Sequence, residues 1–85
     1  MFDLENSQPI EALIERQTEK ALLITVTTAR GSLRSVWFPK SQVEIRGSIA
    51  WVPAWLIAKK DPEVGYIITV DRALALTISQ EAAHV

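Results

Sequence analysis

Lys20-Ala21-Leu22-Leu23-Ile24-Thr25-Val26-Thr27-Thr28, then Ala29-Arg30-Gly31-Ser32, then Leu33-Arg34-Ser35-Val36-Trp37-Phe38 is the stretch on which the fold turns. Its first nine residues are rich in β-branched side chains, which favour a strand over a helix. Side chains alternate along a strand, so Leu22, Ile24 and Val26 point one way while Leu23, Thr25 and Thr27 point the other. Gly31 supplies a residue free to take positive φ, and the polar residues around it suit a turn. Residues 33–38 then read as the returning strand of a hairpin. On it Leu33, Ser35 and Trp37 share one face, and Arg34, Val36 and Phe38 share the other. The expectation is that Trp37, alternating with Leu33, belongs to the core and that Phe38 is exposed.

Downstream, Pro39 has no N–H for a ladder and ends the strand. Lys40-Ser41 breaks the chain, and residues 42–46 resume as a strand with Val43 and Ile45 inward and Gln42, Glu44 and Arg46 outward. Arg46-Gly47-Ser48-Ile49 fits a tight hairpin with Gly47-Ser48 at its centre. Residues 49–52 return as a strand. Pro53 suits the start of a helix that runs to Lys60 and stops at Asp61-Pro62, with Trp55 packing it onto the sheet. Residues 64–70 read as a strand carrying Val64, Tyr66, Ile68 and Val70 on one side. Residues 73–79 read as a last strand, with helix the alternative by propensity.

Upstream, Ser7 and Pro9 resemble a helix start, and Ile10, Leu13 and Ile14 have the i, i+3, i+4 spacing of an apolar stripe. A helix is therefore expected over 8–16. The fold class that follows is α+β, mostly β. It is a small bent sheet or barrel of five to six strands, with an N-terminal helix and one short helix at 53–60. An OB-like or SH3-like barrel is the nearest analogy for that order of elements.

Eighty-five residues make a single domain, with 1–6 and 80–85 read as flexible ends. A chain of this size buries only about 60% of its unfolded surface, so the core is small. Apolar residues are 48% of the chain and charged residues 22%, a globular composition rather than a disordered one. No apolar run nears the roughly 18 residues a membrane-spanning helix needs. The acidic start Met1-Phe2-Asp3-Leu4-Glu5 lacks a signal-peptide layout. With no cysteine in the chain, disulfides and thiolate chemistry are excluded. A cytoplasmic setting is the expectation.

The net charge of −1 conceals a strong segregation. Residues 1–19 hold five acids and one base, a net of −4. Residues 20–60 hold seven bases (Lys20, Arg30, Arg34, Lys40, Arg46, Lys59, Lys60) and one acid, Glu44, a net of +6. Residues 61–85 hold four acids and one base, a net of −3. A cationic centre suits an anionic partner, unless the acidic ends fold back on it.

Catalysis finds little support. The one histidine, His84, lies next to the C-terminus. Lys40 and Ser41 are neighbours, and neighbours on an extended segment point apart, so they make a poor dyad. The acids show no metal-ligand spacing, and no glycine-rich loop is present to cradle a phosphate. No enzyme activity, catalytic residue, metal or cofactor is expected.

The strings Thr18-Glu19-Lys20-Ala21-Leu22-Leu23, Val36-Trp37-Phe38-Pro39-Lys40-Ser41-Gln42-Val43 and Val52-Pro53-Ala54-Trp55-Leu56-Ile57-Ala58-Lys59-Lys60 add a resemblance. Over residues 17–60 the chain resembles small proteins of bacteriophages and other mobile elements. Their shared pattern runs T-E-K-A-x-L, W-I/F-P-K-S-Q and I/V-P-x-W-L-A-x-K. Ala54 stands where that pattern often has an acid, Asp61-Pro62 replaces a glycine-rich helix exit, and residues from Val64 onward lie outside it. The resemblance implies a genomic setting, not a mechanism.

Aromatic rings beside cations equip a surface for stacking bases or anchoring a protein. Three tryptophans are many for a small core, so at least one is expected at a surface. The candidate binding residues are Arg34, Phe38, Lys40, Arg46, Trp51 and Lys59. Glu44 alternates outward beside Arg46 and weakens the patch there. The expected function is a non-enzymatic accessory protein that binds single-stranded nucleic acid through this central segment. The alternatives are a protein-binding inhibitor or adaptor acting on a host complex, and self-assembly of a homo-dimer through an exposed strand at 73–79. No membrane partner is expected.

Overall fold

A computed structural model of the chain describes residues 4–83. His84 lies outside the described residues. Six strands form two three-stranded antiparallel sheets, and two helices follow them. The fold is therefore a mostly-β α+β domain, but the sheets do not close into a barrel.

The central hairpin forms where the β-branched alternation places it. It comprises β3 (Ala21–Thr27) and β4 (Leu33–Pro39). Their register sets Leu22 opposite Phe38 and Ile24 opposite Val36. Residues directly opposite in an antiparallel pair share a face, so these two pairs enter the core together. Gly31, at φ 81°, completes the turn.

The expected N-terminal helix is absent. Its residues form β1 (Ser7–Glu11) and β2 (Leu13–Gln17) instead. β1 pairs with β6 (Ile49–Pro53), and β2 pairs with β3. The chain passes from one sheet to the other at Ala12, whose N–H bonds the Ser48 carbonyl at 2.9 Å. The helical spacing of Ile10, Leu13 and Ile14 misleads because each partner strand lies elsewhere in the sequence. Ile10 is fully buried, whereas Leu13 is 67% exposed. A bulge between Ile14 and Arg16 shifts the register of β2.

After β4 a short 3-10 turn, Lys40–Gln42, leads to β5 (Glu44–Arg46). β5 and β6 form the expected hairpin, with Gly47 at φ 62°. The sheets are ordered β1-β6-β5 and β2-β3-β4. β4 and β5 are not paired, which leaves the barrel open.

Helix α1 spans Ala54–Val64 and continues past the expected stop, with Pro62 inside it. Its end is set by Asp61 instead. The Asp61 carbonyl accepts from the N–H groups of Gly65 and Tyr66, and its side-chain Oδ1 accepts from Ile67 N–H at 2.9 Å. Gly65 takes the left-handed conformation, φ 91°, that favours glycine at a helix exit.

Residues 64–70 do not form the expected strand. A lone bridge joins Ile67 to Thr28, and Ile67 is the buried residue, while Tyr66 and Ile68 face outward. Residues 73–79 fall inside α2 (Arg72–Ala83), not a strand. Asp71 caps it by accepting from Leu74 N–H through Oδ2, and Ala75 and Ser79 then recur on the buried side, one helical turn apart.

Two apolar clusters result. The main core lies between the sheets, around Ile10, Ile24, Val26, Phe38, Val52 and Leu56. A second lies outside the β1-β6-β5 sheet, where Ile49 and Trp51 meet Ala75 of α2. The continuous run Ile49-Ala50-Trp51-Val52 is apolar on both faces because β6 is covered on both.

Candidate binding cleft

The structure separates the six sequence-derived candidates. Phe38, expected at the surface, is fully buried. Trp51 is also fully buried, beneath α2. Its indole Nε1 donates to Ser79 Oγ at 2.9 Å, and the Arg72 guanidinium lies 5.3 Å from its ring centroid. Neither ring can stack on a ligand as placed. Conversely, the two tryptophans expected in the core reach the surface: Trp37 is 41% exposed and Trp55 57%. Leu56 and Ile57 bury α1 in place of Trp55. The hairpin register explains Phe38 and Trp37, because the strongly apolar face of β3 selects Val36 and Phe38 as partners. Ser35, between Leu33 and Trp37, is the local sign that theirs is the outer face.

The cations are dispersed too. Arg46 forms a salt bridge with Glu44 at 3.0 Å, so the patch there is weakened as the alternation implied. Lys40 sits half-buried in the 3-10 turn, its N–H bonded to the Lys20 carbonyl. Lys59 is exposed on α1. Arg34 lines a concave site.

That site is a cleft of about 390 Å³ between the β3–β4 loop and the end of α1. It is lined by Thr28, Arg30, Ser32, Arg34, Glu63 and Tyr66, among others. Its volume lies at the lower end of the range for small-ligand pockets. The loop wall is cross-braced: Ser32 N–H donates to Thr28 Oγ1 at 3.3 Å, Gly31 N–H donates to the Thr28 carbonyl at 2.8 Å, and Thr28 N–H donates to the Ser32 carbonyl at 2.9 Å.

Tyr66 forms the opposite wall and is 65% exposed. It is the one non-glycine residue with positive φ, 66°, among the described residues. Such a conformation is uncommon for a bulky side chain and persists only where the surroundings hold it. Here the Tyr66 N–H bonds the Asp61 carbonyl at 3.0 Å, and the Tyr66 carbonyl accepts from Ala29 N–H at 2.8 Å. Both backbone groups are thus tied down, one to each wall of the cleft. Sequence reasoning missed Tyr66 because it placed the residue in a strand, on the same side as Val64, Ile68 and Val70, where no cleft is implied. It missed Arg30 and Glu63 because their meeting depends on the 64–68 crossing.

Glu63 also connects the cleft to α1. Trp55, Lys59 and Glu63 are four residues apart in turn, so they lie along one helix face over about 12 Å.

A second exposed surface lies on the outer face of the β2-β3-β4 sheet. Leu13, Leu23, Leu33 and Trp37 belong to it, with Leu33 70% exposed. Glu15 accepts a hydrogen bond from the Ser35 hydroxyl on this face. The Ser35 bond, with a smaller contribution from Thr25, holds the Glu15 carboxyl below its ordinary pKa.

Among the described residues no group of acids and histidines is placed to hold a metal, and no helix is long and apolar enough to cross a membrane. No family model matches the sequence, and no curated protein or solved structure is significantly similar to it.

Proposed function

We propose that the protein is a non-enzymatic binder of single-stranded nucleic acid that seats the strand in the Arg30–Arg34–Tyr66 cleft. The observation that carries this reading is the convergence of two arginines and a fixed, exposed tyrosine on one concavity. Arginines neutralise phosphates, and an aromatic ring stacks an unpaired base without demanding a sequence. Trp55 and Lys59 on the adjoining helix face extend the same combination along a strand. This replaces Phe38, Lys40, Arg46 and Trp51 of the sequence-derived site with Tyr66, Arg30 and Trp55, and it keeps Arg34 and Lys59. A small accessory protein of a phage or mobile element, working in the host cytoplasm, fits such a role.

The test is fluorescence anisotropy with mixed-sequence DNA and RNA oligonucleotides over a salt series. Affinity should fall with salt, with a slope near −0.7 per phosphate contacted. No binding at low salt, or binding indifferent to salt, overturns the proposal.

A second reading, a protein-binding inhibitor or adaptor, is favoured by the outer face of the β2-β3-β4 sheet. The other sheet has α2 on its outer side, whereas Leu13, Leu33 and Trp37 remain exposed on this one. Substituting Trp37 and Leu33 should then abolish retention of a specific host protein while leaving oligonucleotide binding intact. Retention unchanged by both substitutions removes this reading. Self-assembly through 73–79 loses its basis, because a helix satisfies its own backbone groups and offers no strand edge.

A further inference from the structure

We infer that the cleft selects guanine, through Glu63, at the position where a base stacks on Tyr66. The inference rests on the reading of the cleft as the nucleic-acid site. Glu63 is the one acid lining a cavity that also holds two arginines. Among the described residues it forms no salt bridge with either. For a site that binds only phosphate, an unpaired carboxylate there is counterproductive, since it repels the ligand. It becomes useful if the ligand brings hydrogen-bond donors.

An ionised carboxylate only accepts, and its two oxygens can accept side by side. Guanine presents two adjacent donors, N1–H and the exocyclic amine, on its Watson–Crick edge. Adenine and cytosine set one amine beside a ring nitrogen that accepts, and uracil or thymine sets one N–H between two carbonyls. Only guanine matches both oxygens without placing an acceptor against the charge. Using that edge also requires an unpaired base, which agrees with a single strand. In this arrangement Tyr66 supplies the stacking platform, Arg30 and Arg34 hold the flanking phosphates, and Glu63 determines the base. The same chemistry would recognise a free guanine mononucleotide, so the test separates the two sources.

Octanucleotides of thymidine with one central guanine, adenine or cytosine, and the all-thymidine parent, are titrated by anisotropy against the full chain. The guanine oligomer should bind roughly tenfold tighter than the others, as two charge-assisted bonds allow. Glu63→Gln replaces one acceptor with a donor and removes the charge. It should reduce the guanine preference to within about twofold while strengthening binding of the thymidine parent, a reversal that mere structural damage would not produce. Equal, salt-dependent binding of all four oligomers overturns the guanine inference and leaves the single-strand reading standing. A guanine preference that survives Glu63→Gln also overturns it. If no oligomer binds but guanosine monophosphate does, and adenosine monophosphate does not, the base selection holds and the single-strand reading falls. If neither oligomer nor mononucleotide binds, both fall.

Discussion

The Trp51 indole N–H donates to Ser79 Oγ at 2.9 Å, and through this bond the last helix is fastened to the outer face of the β1-β6-β5 sheet. Both residues are buried. Arg72, at the start of the same helix, lies over the same ring and donates to the carbonyls of Ser7 and Leu4. One aromatic side chain thus meets α2 at its first residue and again about two turns later.

Ser79→Ala should leave the indole N–H buried without a partner and cost about 1–3 kcal/mol. Arg72→Ala should cost about 1 kcal/mol through the lost ring and carbonyl contacts. Urea unfolding measures both. The double substitution should be non-additive if both act by docking the same helix.

Neighbouring Trp37 and Phe38 should respond in opposite senses to what their sizes suggest. Phe38→Ala empties a fully buried site and should cost about 3–5 kcal/mol. Trp37→Ala, on the open face, should cost no more than about 1 kcal/mol. Equal losses in denaturant melts would contradict the observed register.

Tyr66 offers a way to separate binding from backbone strain. Tyr66→Gly removes the ring and relaxes φ 66°, so it should maintain or raise stability. Tyr66→Ala retains an L-residue at that φ and should be less stable than the glycine variant by about 1 kcal/mol. Both should lose oligonucleotide affinity by about 1–3 kcal/mol, the usual value of one stacked base. Thermal melts and anisotropy on the same preparations read the two effects separately.

Arg30→Ala and Arg34→Ala should each weaken oligonucleotide binding and flatten the salt slope by about 0.7. Arg46→Ala should leave the slope unchanged, because Arg46 pairs with Glu44 away from the cleft. A salt series on the three variants decides between a cleft and a diffuse cationic surface.

Glu15 should contribute a pH-dependent increment of stability. Its folded-state carboxyl titrates below its ordinary value of 4.5 because the Ser35 hydroxyl donates to the charged form. The unfolded chain therefore binds a proton first as pH falls. The increment is full above 4.5 and is lost progressively as pH drops through the depressed folded-state value. Ser35→Ala should move the Glu15 resonance upward in an NMR titration and reduce the difference in stability between neutral and acidic pH. An unmoved resonance would show that the hydroxyl does not hold the charge.

The amino-acid sequence determined what is local in this protein. Alternating β-branched residues made the β3–β4 hairpin, Gly47-Ser48 made the next turn, and Pro53 marked the start of α1. Only the tertiary structure decided what depends on partners distant in the chain. Residues 8–16 abandon a weak helical stripe because β3 and β6 provide ladder partners that no local window contains. Phe38 is inside and Trp37 outside because an antiparallel register, not the identity of either ring, chooses the face. α2 forms because an Asp71 cap and the buried Trp51 ring reward a helix over a strand of equal apolarity. The cleft belongs wholly to this second category: Arg30, Arg34, Glu63 and Tyr66 meet only because the 64–68 segment crosses the end of the hairpin. The charge segregation visible in the sequence marked residues 20–60 as cationic without placing those charges on one face. Which cations stand beside an exposed ring was settled by packing, since burial claims the most apolar faces first and leaves the remainder for solvent.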